Sequence, residues 1–418
     1  MRTKRRLGSA VLPGSLTALV GLAFVAGLAR AQTFDIPEAH PGGVARLGAG
    51  QFTSFALLHD GRVALWGSNA YGEMGDGTKE NRFVPFVHPT LSNIRDVAGG
   101  RTHMIAADGE GRAWVWGSNA GGQLGFPVEE LTESLVPIVH PELSGVVAVA
   151  AGTDHSLALL EDGTVLAWGA NHFGQLGDGT TTDRPRPLPV TIPDPVPVTA
   201  IATAYFTNFA ILADGRVYGW GWNRFGMVGI GTTDESIVDP TPVLGEKGVG
   251  VLEGVRELVT GDVHTLVRLR DETLLAWGRD NKGQLGRGVP GGRPYPVRTY
   301  RGRFDTASGG ALREVAFLRV GCVHSLAVER DGDFWYWGWN EFGQLGIPLE
   351  PFQLINRPTR HSLSGKTRVI DVAAGLGHTL LLDEKGRVWG MGYNSRGQLG
   401  NGLGPSWYNP VPTRVIGF

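Results

Sequence analysis

Apolar residues in this chain fall into short runs, each closed by glycine or by an Asp-Gly pair. The stretch from Val146 to Val190 shows the order. Val146-Val-Ala-Val-Ala150 ends at Ala151-Gly152, and His155-Ser-Leu-Ala-Leu-Leu160 follows. Asp162-Gly163 then supplies a tight turn that tolerates positive φ, and Val165-Leu-Ala-Trp168 is the third run. Runs this short, bounded by turn residues, predict strands rather than helices. Asn171-His-Phe-Gly-Gln-Leu-Gly177 reads as a longer turn. Pro187-Leu-Pro-Val190 is a fourth, weaker strand whose prolines place it at a sheet edge.

The same order recurs seven times. The phrase Trp66-Gly-Ser-Asn-Ala-Tyr-Gly-Glu-Met-Gly75 reappears from Trp116, Trp168, Trp220, Trp277, Trp337 and Met391, at spacings of 50, 52, 52, 57, 60 and 54 residues. Such a period marks a repeat array in which each unit buries its apolar face against its neighbours. Short strands with glycine turns make the array an all-β, seven-bladed β-propeller, one four-stranded blade per repeat. A histidine opens the second strand in five repeats, as His103, His155, His264, His324 and His378; Thr53 and Thr207 stand there in the other two. The Trp-Gly and Asn-x-x-Gly-Gln-Leu-Gly motifs resemble the regulator of chromosome condensation (RCC1-type) repeat family, from about Val44 to Phe418. That resemblance implies a seven-bladed ring. Val44-Ala-Arg-Leu-Gly-Ala-Gly50 and Pro410-Val-Pro-Thr-Arg-Val-Ile416 are expected to close the ring as strands lying side by side.

Residues 1–31 read as a secretory signal that ends the domain map on the N-terminal side. Arg2, Lys4, Arg5 and Arg6 form a basic start, Leu16–Leu28 an apolar stretch, and Ala29-Arg-Ala31 a cleavage site before Gln32. An uncleaved anchor is the alternative, weakened by Pro13, Gly14, Ser15 and Thr17. The expected division is a signal over 1–31, a short lead-in over 32–43 and a single propeller over 44–418, in a secreted or periplasmic protein. Residues 1–31 carry five basic and no acidic residues, so a formal charge of −2 becomes −7 on cleavage. That charge argues against nucleic-acid binding, and no later apolar run is long enough to cross a membrane. A monomer is expected. Cys322 is the one cysteine, which excludes an internal disulfide and reads as a small buried hydrophobe.

Residues that look like chemistry are better explained by packing. The five histidines are spread around the ring by its symmetry, so they are expected to bond backbone at each blade junction. Cys322 and His324 share a strand face but lack a third orienting group. The six repeat tryptophans fill the space between blades. The family includes a plant ultraviolet-B photoreceptor, but its Gly-Trp-Arg-His-Thr motif is not matched here. Asp76-Gly-Thr78 and Asp178-Gly-Thr180 lack the alternating ligands of a calcium loop. No catalytic set, metal site or cofactor is expected.

Departures from the repeat carry the functional reading. The longest connection, Arg287–Arg313, is rich in arginine and aromatics on an acidic chain, which makes Arg293, Tyr295, Arg298, Tyr300, Arg301 and Arg303 the candidate partner-binding residues. The residue before glycine in the Asn-x-x-Gly turn is Tyr71, Phe173, Phe225 and Phe342 in four copies, and Gly121, Lys282 and Arg396 in three. Facing outward, these aromatics would make a rim; the commoner arrangement, expected here, packs them beneath their own turns. The leading function is a non-catalytic secreted scaffold that binds another protein as inhibitor or adaptor; the resemblance includes a secreted inhibitor of β-lactamases. The alternatives are guanine-nucleotide exchange, by analogy with the family's nuclear member, and binding of cell-wall or other glycan.

Overall fold

The computed structural model describes residues 43–299, 312, 314–348, 354–363 and 366–418. They form seven four-stranded antiparallel sheets whose strands are ordered by sequence from the axis outward. The first blade uses Val44–Ala49, Thr53–Leu58, Val63–Gly67 and Arg82–Val87. The others span residues 94–139, 146–189, 198–242, 255–298, 315–360 and 369–414. The innermost strands of all seven blades line a central cavity of about 200 Å3. The residues are all-β apart from one short 3-10 turn, Glu246–Gly248. The outer strands run through proline, as in Arg184–Pro189, so they end pairing at the rim.

One set of bonds repeats at the seams. The indole N–H of Trp116 donates to Glu73 O (2.7 Å), Trp168 to Gln123 O, Trp220 to Gln175 O, Trp277 to Met227 O and Trp337 to Gln284 O. In each case the acceptor is the carbonyl of the Gln position in the preceding blade's phrase. Ser156 and Ser325 also donate to that carbonyl, and each accepts a histidine from the blade before: His103 (2.9 Å) and His264 (2.7 Å). The histidines were expected to bond backbone; they bond a side chain of the next blade, which bonds the backbone. Because the hydroxyl proton goes to the carbonyl, Nε2 must carry the histidine proton. Nδ1 is then a bare acceptor with no partner among the described residues. Met104 follows Thr53 where the histidine is missing, so neither half of the pair is left unpaired and buried.

The seam between the last and first blades is built the same way. Trp66 donates to Gln398 O (2.9 Å), Ser54 bonds His378, and Leu47 N–H donates to Asp371 (2.7 Å). Val44, Leu47, Trp66 and Val415 are buried together, with Phe418 packed on them. The ring is therefore closed between the N- and C-terminal blades, as expected, but the means differ. Val44–Ala49 pairs only with Thr53–Leu58, and Ser406–Arg414 only with Val388–Asn394. Seven complete blades leave no strand to share: the first strand lies at the axis and the last at the rim.

Three acids on inner strands went unnoticed in the sequence. Asp96, Glu257 and Asp371 each accept an inner-strand N–H of the next blade, from Val149, Leu318 and Leu47. Arg46 and Arg319, which line the cavity, balance them. Burial raises the Glu257 and Asp371 carboxyls, and the Arg319 charge opposes that rise. At one mouth of the cavity the inner strands converge on Gly50, Gly100, Gly152, Gly261, Gly321 and Gly375. A Cβ at Gly261 would lie 2.2 Å from Gly321 O, so close approach and not flexibility requires glycine there.

The histidines make the ring acid-labile. Burial depresses His103, His264, His324 and His378 to about 3 and His155 to about 4. Above the unfolded value of about 6.5 both states are neutral; below it only the unfolded chain takes the proton, so stability falls with pH. At pH 5 each of the five withdraws about 2 kcal/mol, a total of the order of a whole domain's stability. Melting temperature should be level from pH 8 to 7 and fall steeply between 6.5 and 5. A flat profile down to pH 4.5 would contradict the burial of neutral imidazoles. Removing residues 409–418 should lower the melting temperature by many degrees, because Val415 and Phe418 leave the closing cluster; a truncated chain melting like the full one would show that they are dispensable.

Candidate docking face

The loops between first and second strands, and those between third and fourth, emerge on one face of the ring. Three positions meet there at four of the junctions, those that follow Phe173, Phe225, Phe342 and Arg396. The side chain before glycine in the phrase reaches across to the next blade. It meets that blade's first loop and the residue after its Trp-Gly. Phe173 packs on Phe206 (5.1 Å between ring centroids) and on Trp222 (6.1 Å). Phe342 packs on Tyr393 (5.0 Å), and Arg396 stacks over Phe52 (4.9 Å). Phe173 thus packs across the seam and not beneath its own turn, Phe225 and Phe342 contact both their own repeat and the next, and Tyr71 is exposed.

Two chains of rings result. One runs through Phe173, Phe206, Tyr205, Trp222 and Phe225 and ends in the Arg279 guanidinium, 4.7 Å from the Phe225 ring. The other joins Trp339, Phe342, Tyr393, Phe52 and Arg396. All of these are half-buried, neither core nor fully in solvent. Tyr205 adopts φ 54°, a left-handed conformation unusual for an aromatic residue. Trp222 has a buried indole N–H with no acceptor among the described residues. Cys322 lies at the mouth of the channel, half-buried where full burial was expected. Burial and the Asp262 carboxylate beside it raise the thiol well above its ordinary value, so it is no nucleophile.

The candidate residues are only partly gathered on this face. Arg293, Tyr295 and Arg298 belong to the outer strand Arg293–Arg298 of the fifth blade. Arg298 sits at the end away from the face and pairs with Glu246 (2.9 Å). Tyr300, Arg301 and Arg303 lie outside the described residues. Arg293 stands at the face end, next to Arg287 from the preceding turn.

That turn departs from the others. In the first and third blades the phrase asparagine spans it: Asn69 and Asn171 accept an N–H through Oδ1 and donate from Nδ2 to Thr78 O and Thr180 O (both 3.1 Å). Asp76 and Asp178 follow in the same turns. The fifth blade has Asp280 and Arg287 at the corresponding places, a reversal of charge. Asp280 Oδ1 accepts the Leu285 N–H (3.0 Å), and its buried Oδ2 has no partner. Burial raises this carboxyl to about 6, against the pull of Arg287 and Arg293.

On the far side of the ring, Glu329, Asp331 and Asp333 are close enough to share an ion, but Arg360 already binds Asp333 (2.5 Å). A model of the RCC1-like domain matches residues 111–350, and the regulator of chromosome condensation (RCC1) repeat matches 60–107, 331–382 and 385–418. The chain belongs to this family. It is 30% identical to the ultraviolet-B receptor UVR8 of Arabidopsis thaliana over 258 residues, 62% of this chain and 55% of the receptor. It is 30% identical to the human E3 ubiquitin-protein ligase HERC2 over 355 residues, 82% of this chain and 7% of the ligase. The chain thus spans about half of one relative and a small part of the other. Among solved structures, Prp20p of Saccharomyces cerevisiae superposes with a TM-score of 0.70 at 22% identity, covering 90% of this chain and 87% of that one. The RCC1-repeat ring is therefore common to proteins of very different activity.

Asp280→Asn tests the odd turn. A carboxyl raised from about 3.9 in the unfolded chain costs stability as pH climbs from 4 to 6, up to about 2–3 kcal/mol above that. The variant, with an amide in place of the bare oxygen, should melt higher than wild type at pH 8 and show a smaller gain at pH 5. An equal gain at both pH values would mean that ionisation of Asp280 is not the cost.

Proposed function

We propose that this protein is a non-catalytic, exported scaffold whose loop face docks another protein, as inhibitor or adaptor. The observation that carries the reading is the pair of half-buried aromatic chains, each ending in a stacked arginine, around the mouth of the channel. Aromatic rings and arginines held rigidly at partial exposure are the residues that dominate protein interfaces. The Prp20p structure is described with that protein's binding to Gsp1p and histones, which supports protein binding as a use of this ring. Export rests on residues 1–31 and predicts a mature chain beginning at Gln32. An exported, monomeric ring is out of reach of a cytosolic GTPase, which weighs against nucleotide exchange.

The ring from Gln32 serves as bait in the extracytoplasmic fraction, compared with Trp222→Ala/Phe225→Ala. Wild type should retain a stoichiometric protein that the variant loses at least tenfold, both baits melting well above the assay temperature. Equal retention by the two would remove this face from the account. Retention of polysaccharide alone would replace the protein partner with a glycan.

A further inference from the structure

We propose that Arg287 and Arg293 form an anion-recognition point on this face, and that it takes a carboxylate side chain presented by the docked protein. The inference rests on the reading of the face as a docking surface and adds the chemistry of what docks. The two guanidiniums converge on one backbone oxygen: Arg287 Nη1 donates to Gly291 O (2.9 Å), and Arg293 Nη1 donates to Gly291 O (3.3 Å) and Gly292 O (2.9 Å). Neither has a carboxylate within salt-bridge distance among the described residues. Elsewhere on the ring arginines are commonly paired, as Arg82 with Asp76 and Arg184 with Asp178 in equivalent turns.

Two like charges beside one oxygen repel each other, and Arg287 is held below its ordinary value by burial and by Arg293. The nearby acid offsets this only in part, and Arg287 stays below its ordinary value. Asp280 lies behind the turn, 1% exposed, with Oδ1 committed to Leu285 and Oδ2 unpartnered. The surroundings add positive charge, with Arg279 stacked on Phe225. Lys282 is already paired with Glu341 (2.6 Å). Both arginines are half-buried, so each keeps N–H groups toward solvent while its stem is fixed. A carboxylate set between two guanidinium forks accepts several charge-assisted hydrogen bonds at once and cancels their repulsion. The aromatic chain ending at Arg279 lies alongside, so an acidic residue next to an apolar one in the partner would engage both.

The test uses the full ring and a blocked hexaglutamate peptide, with hexaglutamine and inorganic phosphate as comparators, by calorimetric titration at low salt. Hexaglutamate should bind and hexaglutamine should not. Arg287→Gln/Arg293→Gln should weaken the peptide at least tenfold, and Arg270→Gln, in a hairpin on the opposite face, should leave it within twofold. Arg287→Lys/Arg293→Lys keeps the charge but not the fork and should fall between, with the melting temperature of wild type. Unchanged affinity in the glutamine variant overturns the proposal. So does phosphate that binds more tightly than the peptide, since the site would then serve a free anion. If the peptide behaves as expected but no protein is retained by the bait, the anion site stands and the docking reading fails. A partner lost with Trp222 but indifferent to both arginine variants removes this inference alone.

Discussion

Every blade but the seventh is held to the one before it by an indole N–H that reaches a carbonyl across the seam. The bond fixes the rest because it couples two demands. The tryptophan body fills the wedge between blades, and its one polar atom must find an acceptor in the dark. The acceptor is the main chain of the Gly-Gln-Leu-Gly turn, so that turn must hold one conformation in every blade. The phrase asparagine accepts its fifth residue's N–H to keep it there. The serine beside the tryptophan donates to the same carbonyl and in turn accepts the histidine of the blade before. Tryptophan, turn, asparagine, serine and histidine thus form one unit that straddles two blades, and the repeat cannot vary one of them freely.

Such coupling explains why the fold was legible in the sequence. A residue that must do the same thing at every junction recurs at every junction, and its spacing counts the blades. That the terminal blades close the ring was legible, but not which strands meet, because the phrase itself reports only what crosses a seam. The inner-strand acids were hidden for another reason. Asp96, Glu257 and Asp371 occupy a position that holds Arg46, Ala148, Ala200 and Phe317 in the other blades, so no pattern announces them.

The docking face was the least legible part. Each contact, such as Phe173 with Phe206 and Trp222, joins positions that are unremarkable within either blade and significant only across the seam. The Arg293 loop was noticed for its composition, yet composition could not separate Arg293, which faces the docking side, from Arg298, which is tied to Glu246. A comparison of Asn69 and Asp76 with Asp280 and Arg287 would have revealed the reversed turn, because two positions bound to the same task had changed together.

Met391 stands where the seventh blade would have its tryptophan, packed against Gly346 of the sixth. A thioether has no hydrogen to give, so this junction keeps the wedge but lacks the clasp, and a flexible side chain fills space less stiffly than an indole. A closed ring shares strain among all its joints, and any thermal breathing concentrates at the most compliant one. The sixth and seventh blades are joined without an indole clasp, and the bonds from His324 to Thr379 and from Arg319 to Asp371 hold that seam in its place. Trp339, Phe342 and Tyr393 straddle that seam, so the second aromatic chain is built over the one junction whose wedge is a flexible thioether.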